Sequence, residues 1–273
     1  MRTIILAVLV LCLGGGALAY AVWPSRTQGS SVTVTIDSDE RAPKSIAAPI
    51  GLAVQDDGNS VTAPGFAQTV PEGGGATAPV CAGQPPVPIG ADGRLFGHFA
   101  YAEASAADLV APPKSFQSGN CTQIERGMAQ SLSALIAAAT KDDAAVGKAL
   151  MGVSCFRSIE RQSGLFCRPD RLKERGMQGQ AKWVAPPGYS EHATGYAIDF
   201  GARSIPSCHA NPCFKETRTG KWLAANARHF GFEMSFPEGN AQGVSFEPWH
   251  FRWIGTGQGD APAIFNRARS AFP

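Results

Sequence analysis

The chain has 273 residues, with 24 basic and 22 acidic side chains and a formal charge of +2. That length allows one or two domains. The near balance of charge leaves no basic stripe of the kind a nucleic-acid surface needs, which excludes nucleic acid as the expected partner.

Read from the start, residues 1–23 look like an export segment. Arg2 gives a positive flank, residues 4–13 are an unbroken apolar run, and Ala17-Leu18-Ala19 fits a small-x-small cleavage pattern that would leave Tyr20 first. The uncharged stretch 4–23 is also long enough to span a bilayer, so a retained membrane tether stays open beside a cleaved signal. Lipidation of Cys12 is disfavoured by the bulky Leu11 before it. Residues 24–89 are rich in Pro, Gly, Ser, Thr and Ala, with breakers at Gly73-Gly74-Gly75 and Pro85-Pro86, and read as a flexible tether. Within it Val32, Val34 and Ile36 alternate as a short strand would.

Residues 90–273 are enough for one core. Ile124, Met128, Leu132 and Leu135 predict one face of a helix over 122–140. A short apolar strand is expected over 149–156 and a further helix from Ser158 to Leu165. A strand within 195–201 ends near Asp199, and a helix over 219–230 is closed by Gly231. Residues 232–236 and 249–254 are strand-like. Helices lead and strands collect toward the end, which predicts an α+β fold: a small, mostly antiparallel sheet with helices packed on it.

Six cysteines follow Cys12, an even number that fits three disulfides in an oxidising compartment. Pairing sequence neighbours gives Cys81–Cys121, Cys155–Cys167 and Cys208–Cys213. No Cys-x-x-Cys pair suggests a cysteine metal site. Two segments carry the chemistry. Ser190-Glu191-His192-Ala193-Thr194-Gly195-Tyr196-Ala197-Ile198-Asp199 and Glu247-Pro248-Trp249-His250 together offer two histidines, an aspartate and a spare glutamate. His192, Asp199 and His250 as zinc ligands would leave a fourth position open, and Glu247 would serve as general base. His192 and Asp199 would meet through a tight turn at Thr194-Gly195 followed by a strand, with Gly195 tolerating a positive φ. His98, His209 and His229 lack a partner motif and read as ordinary core or surface residues.

This order of motifs resembles the VanY-type D-alanyl-D-alanine carboxypeptidases, LAS-type zinc metallopeptidases of the bacterial cell wall. Segment 97–104, Ser154-Cys155-Phe156-Arg157-Ser158 with Gln162, Trp222 to Ala227, Phe230-Gly231-Phe232 and residues 246–253 follow the family's sequence of steps over roughly 90–256. The resemblance implies an LAS-type peptidase fold and one zinc ion per chain held by His192, Asp199 and His250. Glu247 would be the base and Arg157 would stabilise the developing oxyanion. Ser154, Gln162, Ser190 and Trp249 are the candidate substrate contacts. Cys155 departs from the family's usual Gly and Ile159 from its common aromatic; a Cys155–Cys167 bridge would account for the first.

The expectation is therefore an exported, monomeric zinc carboxypeptidase of the periplasm or cell envelope. It would remove the terminal D-alanine from peptidoglycan stem peptides. L,D-carboxypeptidase or endopeptidase action at the same site is the nearer alternative, and a non-catalytic zinc-containing wall-binding module the more distant one.

Overall fold

A computed structural model describes residues 76–257 and 260–271; the expected export segment, most of the tether and the strand at Val32–Ile36 lie outside the described residues. Two short antiparallel ladders come first: β1 (Thr77–Ala78) with β2 (Val87–Pro88), and β3 (Leu109–Val110) with β4 (Ile124–Glu125). Helices α1 (Ala129–Asp142) and α2 (Ala144–Ala149) lead into β5 (Leu150–Ser154). Then follow α3 (Ile159–Phe166), α4 (Pro169–Ala181), β6 (Ala197–Ala202) and α5 (Arg218–Asn226). The chain finishes with β7 (Phe232–Met234), β8 (His250–Trp253) and α6 (Asn266–Ser270). The main sheet has the order β5-β6-β8-β7 and is antiparallel throughout, as an α+β reading expects.

Strand alternation gives the sheet two different faces. Ile198 and Phe200 of β6 and Phe251 and Trp253 of β8 point into the main apolar core, with Leu132, Leu135 and Ala139 of α1 packed against them. Asp199, His250 and Arg252 therefore share the other face. The four apolar residues expected on one helix are all fully buried, but on three elements. Ile124 lies in β4, Met128 closes a tight turn at Arg126–Met128, and the α-helix starts only at Ala129. The Glu125 side chain accepts the Gly127 amide and caps that turn, displacing the helix start. The helix predicted to end at Gly231 is also divided. Thr217 caps α5 by accepting the Gly220 amide, and a tighter turn, Ala227–Phe230, runs to Gly231 at φ 80°.

The described fold starts before residue 90. Val80, Cys81 and Val87 are buried in a second apolar cluster with Leu95, Phe166 and Tyr189, so residues 77–88 pack as part of the domain. Two of the expected disulfides are replaced: the bonds are Cys81–Cys167, Cys121–Cys155 and Cys208–Cys213. Sequence proximity misleads here because Cys81 and Cys121 belong to different clusters. Cys81 meets the end of α3, while Cys121 closes the Ser118–Cys121 turn beside β5. A side chain at Gly152 of β5 would come within 2.3 Å of Cys121 Sγ, so glycine there admits the bridge.

Peptide mapping without reduction is expected to recover these three pairs and no free thiol among the six cysteines. Leu132→Ala empties a fully buried position and is expected to lower unfolding stability by about 2–5 kcal/mol in a denaturant titration.

Candidate active site

Each candidate ligand is placed by backbone. Asp199 of β6 and His250 of β8 are register partners, which brings their side chains together on one face. His192 lies in the turn Glu191–Thr194, which Gly195 ends at φ 72°; a Cβ at Gly195 would lie only 3.0–3.1 Å from Leu109 and Glu125. The loop after β5 holds that turn at two points. The Arg157 amide donates to the His192 carbonyl at 3.1 Å, and His192 Nδ1 lies 2.8 Å from the Cys155 carbonyl. Nδ1–H thus has an acceptor, and Nε2 is left to face Asp199 Oδ2 at 3.1 Å.

His250 is oriented from both sides. Its Nδ1 lies 3.0 Å from Asp199 Oδ1 and 3.9 Å from Glu247 Oε2, and its Nε2 lies 2.9 Å from Glu191 Oε2. One donor atom from each of His192, Asp199 and His250 falls within 4.8 Å of the others. Two imidazoles and a carboxylate, each buried, are a donor set that suits zinc. The back of each ring is already hydrogen-bonded, which fixes its tautomer as metal-binding histidines require.

The electrostatics agree with a cation at this point. Burial opposes charge on His250, yet Asp199 and Glu191 raise its imidazole to about 10. Burial would also raise Asp199, but His192 and His250 hold it far below the usual carboxylate range. A field that retains a proton this strongly also favours a divalent ion in the proton's place. Burial pulls His192 below its ordinary value, toward the neutral form a ligand needs. Burial pushes Glu247 up to about 8, with Asp199 and Glu191 adding to the rise. A metal ion nearby would bring that carboxyl down toward neutrality, the range in which a general base works best.

Glu191 is a functional residue that sequence reasoning missed. It is 3 % exposed and meets four partners: His250, Ser235 Oγ at 2.5 Å, Arg252 Nη1 at 2.8 Å and Tyr101 Oη at 3.3 Å. Burial would raise its carboxyl, but Arg252 and His250 hold it at about 2. Its position inside the Ser-x-His motif was visible; its partners, from β8, the residue after β7 and the segment near residue 101, were not.

The other candidates divide. Arg157, Ser190, Glu247 and Trp249 line one cavity of about 420 Å3 with the three ligand residues. Arg157 Nε is buried with no hydrogen-bond partner among the described residues. Gln162 is buried away from that lining, with Nε2 donating to the Ala185 carbonyl at 2.6 Å, so it braces the loop behind the site. Ser154 faces Asp199 across the β5–β6 register and is likewise not in the cavity wall. His98 lines the cavity but bonds the Ala181 carbonyl, His209 bonds the Ala202 carbonyl, and His229 is exposed.

A known family matches the segment that holds these residues. The profile of the VanY family, D-alanyl-D-alanine carboxypeptidase, matches residues 122–256. YodJ of Bacillus subtilis is 36 % identical over 155 residues, 55 % of this chain and 54 % of that protein. A D-alanyl-D-alanine carboxypeptidase of Enterococcus faecium is 34 % identical over 104 residues, 37 % of this chain and 29 % of that one. The chain thus spans about half or less of the length of these relatives. Among solved structures, the LdcB LD-carboxypeptidase superposes with a TM-score of 0.51 at 29 % identity, covering 64 % of this chain and 78 % of that one. Residues 122–256, with the ligand residues, Glu247 and Arg157 all inside them, form a VanY-type D-alanyl-D-alanine carboxypeptidase domain.

Proposed function

We propose that this chain is a zinc-dependent D,D-carboxypeptidase that removes the terminal D-alanine from peptidoglycan stem peptides. The observation that carries the reading is the convergence of His192, Asp199 and His250 on one point, with Glu247 and Arg157 in the same cavity. The three ligand residues would hold the metal with a position left open. Bound there, zinc supplies Lewis acidity to water and to the scissile carbonyl.

The protein's own groups do the rest. Glu247 takes a proton from the attacking water and returns it to the departing amine. Arg157 brings a buried, otherwise unpaired guanidinium N–H to the oxygen that gains charge as the carbonyl is attacked. Ser190 and Trp249 line the space for the terminal residue. The β6–β8 register fixes Asp199 against His250, so little reorganisation is needed during the reaction. Export is part of the proposal. The apolar run at 4–13 and six disulfide-bonded cysteines support it. Among the described residues no helix is long and apolar enough to cross a membrane.

A second reading, L,D-carboxypeptidase action, is favoured by the similarity to the LdcB LD-carboxypeptidase. Mass spectrometry of muropeptides incubated with the purified chain separates the two. Pentapeptide converted to tetrapeptide, blocked by chelator and restored by zinc, is the expected outcome. Tetrapeptide converted to tripeptide would move the assignment to L,D-specificity, and no cleavage by zinc-loaded protein would favour a binding module.

Glu247→Gln is expected to bind zinc as the parent does while turnover falls about 10²–10⁴-fold; retained turnover would remove Glu247 as the base. Glu191→Gln keeps the shape but removes the charge behind His250. Competition with a chromophoric chelator should show zinc affinity reduced about 10–100-fold, with the far-ultraviolet circular dichroism unchanged.

A further inference from the structure

The cavity beside the ligand residues extends along α3 and α4, and that wall is left unexplained by the catalytic roles above. It carries Leu165, Arg168, Arg171, Arg175 and Trp183. Trp183 is 52 % exposed and Leu165 38 % exposed, two of only four large apolar side chains so exposed among the described residues. Helix α4 has 13 residues and fully buries just Gln180 and Ala181. Core packing therefore does not dictate its arginines.

Those arginines are available to a ligand. Arg168, Arg171 and Arg175 pair with Asp170 and Glu174, acids of the same helix in half-exposed positions. Exposed pairs of this kind are weak, so an incoming carboxylate can replace them. Three guanidinium groups face two carboxylates, which leaves excess positive charge on the wall. Arg175 lies 5.9 Å from the centre of the Trp183 ring, giving a flat cationic and aromatic surface. A second feature points to a peptide. Gln180 lines the same cavity, is 2 % exposed, and its side-chain oxygen has no hydrogen-bond partner among the described residues. A buried acceptor without a partner is rare enough to ask for one, and a peptide N–H is the group that fits.

We propose that the α4 wall is the subsite for the peptide upstream of the cleaved bond, and that it selects substrates bearing a free carboxylate there. This rests on the carboxypeptidase reading of the adjoining site. In a stem linked through the side chain of glutamate, the main-chain carboxylate of that residue stays free. The arginines read it, Trp183 and Leu165 cover apolar parts of the stem, and Gln180 accepts a backbone N–H.

The test uses two synthetic pentapeptides that end in D-alanyl-D-alanine and differ only in whether that glutamate carries a carboxylate or a carboxamide. Binding is measured calorimetrically on the Glu247→Gln chain, and kcat and KM on the zinc-loaded parent. The carboxylate peptide is expected to bind and react about tenfold better, through KM, with the preference shrinking as salt is added. In Arg168→Gln/Arg171→Gln/Arg175→Gln the ratio between the two peptides should fall to about one, whereas the corresponding triple lysine variant should keep most of it. Equal binding of the two peptides, binding of neither, or a preference that survives the triple glutamine change would overturn the subsite. Cleavage of both peptides without preference would leave the carboxypeptidase reading standing alone. Selective binding without cleavage by the parent would support the wall and sink the reaction.

Discussion

Three carboxylates, Asp199, Glu191 and Glu247, converge on His250 in a site where almost nothing is exposed. Buried charge of this density is costly unless it is paired, and the surrounding structure can be read as the means of pairing it. Arg252 neutralises Glu191 from behind and is itself held by Glu233, which also engages Arg228 and Arg269. Asp199 and Glu191 hold a proton on His250 beside the point where the three ligand atoms meet. A divalent ion bound there would take that proton's place.

The sheet makes that convergence cheap in backbone terms. Because Asp199 and His250 are register partners, a slip of either strand by one residue would turn its metal-facing side chain into the apolar core and bring Ile198 or Phe251 out. Burial of Ile198, Phe200, Phe251 and Trp253 therefore protects the metal-facing side chains as much as it stabilises the fold. Fold and site share one constraint, and neither can move without the other.

Much of the site was legible because its chemistry is packed into two short motifs. His192, Asp199, Glu247 and His250 could be proposed from residue type and order, and Gly195 from the turn they require. What was not legible depended on long-range packing. Glu191 stood inside a motif, but only the folded positions of Tyr101, Ser235, His250 and Arg252 reveal what it grips. Gln162 and Ser154 sit beside the site in the sequence pattern, yet they brace it from outside the cavity. Helix α4 has only Leu172, Met177 and Ala181 as apolar side chains beyond Pro169 and is interrupted by Gly176 at φ 63°, so its apolar pattern is too sparse to read. Cysteine pairing is a property of the folded chain, and adjacency along the sequence was a poor guide for Cys81, Cys121, Cys155 and Cys167.

The Cys121–Cys155 bond has a consequence beyond holding two segments together. Cys155 contributes its sulfur to the bridge and its carbonyl oxygen to His192 Nδ1. The direction of that carbonyl is thereby set by a covalent tie to a turn 34 residues earlier in the chain. An acceptor fixed in this way keeps the ring proton on Nδ1 and the lone pair on Nε2. A bond between two sulfur atoms thus chooses the tautomer of an imidazole that neither sulfur touches.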